Sequence, residues 1–315
     1  MAPNSSKKVI IKDSTLREGL DVPNVNFSLE QKLKIAKLLD KANVPEIEVV
    51  APSRVLKDLE FVKRLKDEGL RPKTSGLIYS YGPNCQEEIE ESSKYLNRFD
   101  LLMPVSPKRK PYDRDTKKSL LLKALSHSLS YQSDVGVGFP HSTQVEFELL
   151  SEISKEAVKN GAKRVTIYDT NGSSDPFAVS DLIKRLKNNL DVNIFFHAHN
   201  DLGLATANSL AAVYAGADGL DVTVNGLGDR AGNCSFEQAV LALYLRGFDT
   251  GVTLEDLREL SKTVEEESGV EISKLAPIVG EYIFSHKSPS HLDNPGLFEP
   301  FDPKIVDSYR KLDAS

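Results

Sequence analysis

Eight short apolar runs alternate with amphipathic stretches between residues 8 and 227, and this alternation predicts a (β/α)8 TIM barrel. Two further observations point the same way. The chemistry-bearing polar residues gather at the C-terminal ends of the runs, where such barrels carry their sites. The open doubly wound sheet, the alternative, usually has a glycine-rich phosphate turn after its first strand, and "STLREGLDVPN" is not one. A small C-terminal helical and irregular appendage completes the expected architecture.

The strands are expected at 8–15, 44–50, 72–79, 99–105, 133–139, 162–170, 192–199 and 219–227. Ser28 opens the helix "SLEQKLKIAKLLDKAN" as N-cap, with Gln31 completing a capping box. Gly161 and Gly216 follow "EFELLSEISKEAVKN" and "ATANSLAAVYA" as terminating glycines. Beyond Arg246, "TLEDLRELSKTVEEESG" reads as one more helix. The irregular stretch "PIVGEYIFSHKSPSHLDNPGLFEPFDP" comes after it, with two histidines. The expected division is a catalytic barrel over 1–250 and an appendage over 251–315.

Composition narrows the function. The 315 residues are 40% hydrophobic and 27% charged, ordinary for a globular protein. A net charge of −6 argues against a general nucleic-acid binder. Two cysteines without a CxxC give neither a disulfide framework nor a cysteine zinc site. The N-terminus has no long apolar stretch, so no signal peptide, no membrane span and a cytoplasmic location are expected.

"FFHAHND" carries the sharpest chemical signal. On a strand, residues two apart share a face, so His197 and His199 point together at the strand's end. The other strand ends add Arg17 and Glu18, Glu48, Asp169 and Thr170, and Asn233. One carboxylate, two imidazoles and an amide oxygen suit Mg²⁺, Mn²⁺ or Zn²⁺. Each residue also has a plain structural role open to it. Arg17 and Glu18 can form an ion pair, and Asp169 and Asn233 can cap turns. Their convergence on one rim is what those roles leave unexplained.

"DSTLREG", "HAHNDLGLATANSLAA", "NGLGDRAGN" and "PIVGEYIFSHKSPSH" together resemble the DRE-TIM metallolyases, over about residues 9–303. The nearest branch is the homocitrate, isopropylmalate and citramalate synthases, with hydroxymethylglutaryl-CoA lyase a more distant relative. The resemblance implies a divalent metal held by Glu18, His197 and His199, with Asn233 completing or flanking the site. Arg17 would stabilise a developing oxyanion, and Thr170 would hold a 2-oxo acid's carboxylate. His291 would take part in proton transfer, often in a partner subunit's site. The implied reaction condenses an acyl-CoA such as acetyl-CoA with a 2-oxo acid, giving a 2-hydroxy diacid and CoA, in a homodimer.

The chain departs from that pattern in places. Gly19-Leu20-Asp21 stands where synthases carry "GEQ", and glycine–leucine there resembles the lyase. The fifth-strand loop lacks the synthases' glutamate, and His141 is the candidate to replace it. The lyase's loop cysteine has no counterpart in "GLGDRAGN". Asp21, Glu48, His141 and Asp169 are the candidate substrate-binding residues, with Tyr79, Tyr81 and Arg109 as further strand-end candidates. The alternative functions are a metal-dependent carbon–carbon lyase or aldolase and a non-catalytic barrel serving as a binding subunit. No regulatory domain is expected within 315 residues.

Overall fold

The computed structural model describes residues 7–52, 54–106 and 112–312, so Arg109 lies outside the described residues. Eight parallel strands close into a barrel in chain order. They are β1 (Ile10–Asp13), β2 (Glu46–Val50), β3 (Lys73–Tyr79) and β4 (Phe99–Leu102), then β5 (Val135–Phe139), β6 (Arg164–Asp169), β7 (Asn193–Ala198) and β8 (Gly219–Val222). Closure comes from β8 pairing with β1, with Lys12 beside Asp221 in register.

Helices ring the barrel. After a single turn, α1 (Thr15–Glu18), come α2 (Leu29–Lys41), α3 (Val55–Asp67), α4 (Cys85–Ser93), α5 (Arg114–Leu129) and α6 (Phe147–Lys159). They are followed by α7 (Pro176–Asn189), α8 (Ala205–Tyr214), α9 (Phe236–Tyr244) and α10 (Leu257–Ser268). Ser28 caps α2 through the expected box with Gln31. Gly161 (φ 107°) and Gly216 (φ 114°) turn the chain after α6 and α8 with backbone angles that a side chain disfavours. All eight expected strands form. The last ends earlier than its apolar run because Asn225 adopts φ 60° and turns the chain.

The core does not stop at residue 250. Leu254, Leu257, Leu260 and Val264 are buried in the same apolar cluster as the barrel helices. Gln31 of α2 donates to the Glu267 carbonyl (3.2 Å), so α10 seals the ring against its first long helix. Farther on, Ser285–His286 and Lys311–Leu312 make a small parallel sheet. No helix among the described residues is long and apolar enough to cross a membrane.

The barrel interior is ionic where such barrels are usually apolar. Period-two alternation turns Lys12, Glu46, Glu48, Asp100, Arg164 and Asp221 inward, and each is at most 2% exposed. Lys12 Nζ bonds Glu48 (2.7 Å) and Asp221 (2.9 Å), with Asp100 at 3.8 Å. Burial disfavours its charge, but Asp221, Glu48 and Asp100 outweigh burial and hold the ammonium above its ordinary range. Arg164 forks onto both Glu46 oxygens (2.8 and 2.7 Å) and stacks on Phe195 (3.5 Å). At Gly136 a methyl group would collide with Asp100, so this glycine makes room for the network.

Burial raises the Glu46 pKa, yet Arg164 and Arg98 outweigh it and bring the group down to about 2 from an ordinary 4.5. The stabilisation from its ionised form is therefore present above pH 4.5 and lost as pH falls toward 2. Glu46→Gln should lower unfolding free energy by about 3 kcal/mol at neutral pH, because it leaves the Arg164 fork poorly compensated. Denaturant titrations should show that deficit shrinking between pH 4.5 and 2. A deficit that does not change with pH would mean that the pair is not what the substitution breaks.

Candidate active site

The C-terminal ends of the strands surround a cavity of about 310 Å³. Arg17 and Glu18 reach it from α1, directly after β1. His197 stands on β7, and His199 lies one residue beyond the strand. One ligand atom each of Glu18, His197 and His199 lies within 4.8 Å of the other two, and all three residues are buried. The two Nε2 atoms are 3.3 Å apart, and Glu18 Oε1 is 3.4 Å from His197 Nε2. The sequence pairing of the histidines is thus realised on one face of one strand end.

This donor set fits a divalent cation. His197 Nδ1 is bonded to Asp221 (3.3 Å), which fixes the ring and leaves Nε2 toward the cluster, as a carboxylate behind a ligating histidine does. Asn233 Nδ2 lies 3.1 Å from His197 Nε2, while its buried Oδ1 has no partner among the described residues. A half-turn of that amide brings the oxygen to the cluster. Burial, then the neighbouring His197 ring, lowers the His199 pKa to about 4, so the imidazole is neutral and able to ligate near pH 7. Burial would raise the Glu18 pKa, but Arg17 and the two histidines outweigh it and keep the carboxylate ionised.

Arg17 bonds Glu18 through Nη1 and Glu48 through Nε (2.5 Å), and its buried Nη2 has no partner among the described residues. That leaves an N–H donor on a residue in the cavity wall. Thr170 also lines the cavity. Its Oγ1 accepts from the His141 backbone N–H (2.8 Å), so its own O–H remains to donate. His141, two residues beyond β5, adopts the left-handed region (φ 61°), a conformation a non-glycine residue holds only where its surroundings enforce it. Asp21 stands exposed at the edge of the cavity, and its partial burial, then Glu18, raises its pKa.

Four candidates sit elsewhere, among them Tyr81, which lines a separate cavity beside α4 and α5. Glu48 is fully buried beneath the cavity with both oxygens taken, by Lys12 and Arg17, so it supports Arg17 and does not meet a substrate. Asp169 is also fully buried. It accepts from Thr143 Oγ1 (3.0 Å) and from the Ser173 and Ser174 backbones, so its oxygens serve the turn after β6. His291 is outside the cavity of its own chain, on a short helix in the appendage. There it stacks on Phe298 (3.7 Å) and meets His286 (3.3 Å).

Other wall residues were not singled out in the sequence. Arg230 grips Asp201 (2.7 and 2.9 Å) and the Thr170 carbonyl (2.7 Å), tying the loops after β6, β7 and β8 together. Its place in "NGLGDRAGN" was the available signal. Tyr168 was hidden inside an apolar strand run, and Asp221, buried beneath the wall, carried no signal beyond period-two alternation. Cys234 is fully buried, and burial pushes its thiol up to about 11, which makes it a poor nucleophile near neutrality.

Residues 8–264 match the HMGL-like family. The chain is 35% identical to homocitrate synthase AksA of Methanopyrus kandleri over 314 residues, covering 97% of this chain and 78% of that protein. It is 35% identical to 2-isopropylmalate synthase of Sulfolobus acidocaldarius over 319 residues, covering 98% and 82%. Among solved structures, HMG-CoA lyase of Bacillus subtilis superposes with a TM-score of 0.74 at 20% identity, covering 87% and 97%.

His199→Ala should abolish stoichiometric Mn²⁺ binding while leaving the unfolding midpoint within a few degrees of wild type, because barrel stability resides in the interior. Metal analysis and thermal melts check this. A variant that fails to fold would make His199 a structural residue.

Proposed function

The chain belongs to the HMGL-like family, and from that membership we infer a divalent-metal-dependent acyltransferase that condenses an acyl-CoA, such as acetyl-CoA, with a 2-oxo acid. The observation that carries this reading is the Glu18–His197–His199 cluster sharing one cavity with the unpartnered Arg17 Nη2. The synthase relatives, matched over nearly the whole chain, support the direction of the reaction.

A divalent cation bound by Glu18, His197 and His199, with Asn233 alongside, supplies Lewis-acid polarisation of a ketone. The remaining chemistry belongs to the chain's own groups. Arg17 Nη2 donates toward the oxygen on which charge develops, an interaction strengthened by burial. The Thr170 O–H orients the oxo acid's carboxylate. Asp21 and His141 border the substrate on the cavity wall. His291 moves a proton, delivered from the appendage of a second copy in a homodimer. Glu299 accepts from His286 Nε2 (3.1 Å), which leaves His286 Nδ1 to accept the His291 Nδ1 proton. That chain leaves His291 Nε2 with a lone pair for acid–base work.

The lyase direction is the second reading, and Gly19-Leu20 favours it. The deep burial of Cys234 counts against it, since it is the one cysteine near the loop after β8.

The deciding assay measures free thiol released from acetyl-CoA with Mg²⁺ or Mn²⁺ and a panel of mono- and dicarboxylic 2-oxo acids. Release that requires both metal and one oxo acid is expected. Metal-replete protein that releases no thiol with any of them would sink the synthase reading. In that assay His291→Ala should lower kcat by about a hundredfold with Mn²⁺ affinity unchanged. An unchanged kcat would remove His291 from the mechanism.

A further inference from the structure

Tyr168 carries a buried donor that none of the described residues satisfies. It stands at an inward position of β6 and lines the same cavity as Arg17, Thr170 and His197. The residue is only 6% exposed, and its hydroxyl has no hydrogen-bond partner among the described residues. A buried polar group left unpaired costs about 1–3 kcal/mol, and phenylalanine would fill this space without that cost.

The surroundings are built to hold the phenol in place. Its ring lies 4.7 Å from the His197 ring at an interplanar angle of 36°. Leu77 and Leu102 pack against it. Across β5, a methyl group at Gly138 would come within 2.8 Å of the Tyr168 ring and 3.4 Å of its hydroxyl oxygen. The glycine therefore opens the slot that the phenol occupies, next to a fifth-strand loop in which no carboxylate lines the cavity. Tyr168 O–H and Arg17 Nη2 are both buried, unpartnered donors on residues of the wall that holds the metal-binding cluster.

We propose that Tyr168 is a catalytic residue whose O–H donates a hydrogen bond to the C2 oxygen of the 2-oxo acid. It does so as the acyl donor's enolate carbon bonds to C2, the carbonyl π bond breaks and its electron pair moves onto that oxygen. The phenol keeps its proton throughout, so the group acts by stabilising charge and not by transferring a proton. The proposal rests on the synthase reading for its reaction, but not for its geometry.

Tyr168→Phe keeps the ring, its contact with His197 and the filled slot. In full-length, Mn²⁺-loaded protein, kcat with the preferred oxo acid should fall by about a hundredfold or more, as for loss of one oxyanion donor. Mn²⁺ affinity should be unchanged. Oxalate, a probe whose oxygens occupy the oxo acid's place, should bind on the order of tenfold more weakly by calorimetry. A kcat equal to wild type would overturn the proposal while the synthase reading stands. Loss of Mn²⁺ in step with activity would overturn it too, by reducing Tyr168 to a support for His197. Should wild type release no thiol with any oxo acid, the synthase reading falls and oxalate alone decides. Weaker binding by the variant then upholds a donor aimed at the substrate's oxygens, and equal binding overturns it.

Discussion

One buried ammonium organises this active site. Lys12 Nζ reaches Asp221 on one side and Glu48 on the other, at 2.9 and 2.7 Å. Asp221 in turn holds His197 Nδ1, and Glu48 holds Arg17 Nε. Arg17 then bonds Glu18. Two arms from one cation thus set two of the three members of the candidate metal cluster, a histidine and a carboxylate, together with the arginine above the barrel floor. Taking these charges out of water is costly, and a well-packed apolar interior would stabilise a barrel at least as well. What the ionic interior provides is placement. Glu48 has both oxygens engaged, and one oxygen of Asp221 bridges Lys12 and His197, so the side chains above them are held in a fixed orientation.

The same logic explains why Glu48 and Asp169 are essential to the geometry without facing the cavity. Both were read as strand-end groups of the kind that meet a substrate. Their oxygens are instead taken by Lys12 and Arg17 in one case, and by Thr143 and two backbone N–H groups in the other. A strand-end carboxylate in sequence does not reveal whether the next inward position carries a cation. For Glu48, Lys12 and Arg17 supply it; for Asp169, a hydroxyl and two backbone N–H groups take that part; and each carboxylate becomes a support.

Alternation was legible where it was written in residues of contrasting character. The HAH spacing on β7, the capping box at Ser28–Gln31 and the glycines after α6 and α8 all follow from local backbone rules, and all appear as expected. The ionic interior was not legible for a physical reason. A lysine in "VIIKDST" or an arginine in "AKRVTIYDT" reads as a solvent-facing residue of a half-exposed strand. Only the partners contributed by distant strands make its burial tolerable, and strand-to-strand register is not written in any one segment. The join at residue 250 failed to mark an end of the core for a related reason. The helix 257–268 buries Leu257, Leu260 and Val264, and an amphipathic helix does not announce which surface it will cover.

Tyr168 brings these two lessons together. In sequence it is one more bulky residue in a strand of apolar character, indistinguishable from filler. Its significance comes from what surrounds it on closure of the barrel: Gly138 across β5, His197 across β7 and a cavity wall that also holds Arg17. The ionic groups below have every oxygen of Glu46 and Glu48 paired, whereas the hydroxyl of Tyr168 and one nitrogen of Arg17 are left over. Where Glu46 and Glu48 below are fully paired and two donors on residues of the cavity wall are not, that pair of donors marks where the protein expects an oxygen that it does not itself supply.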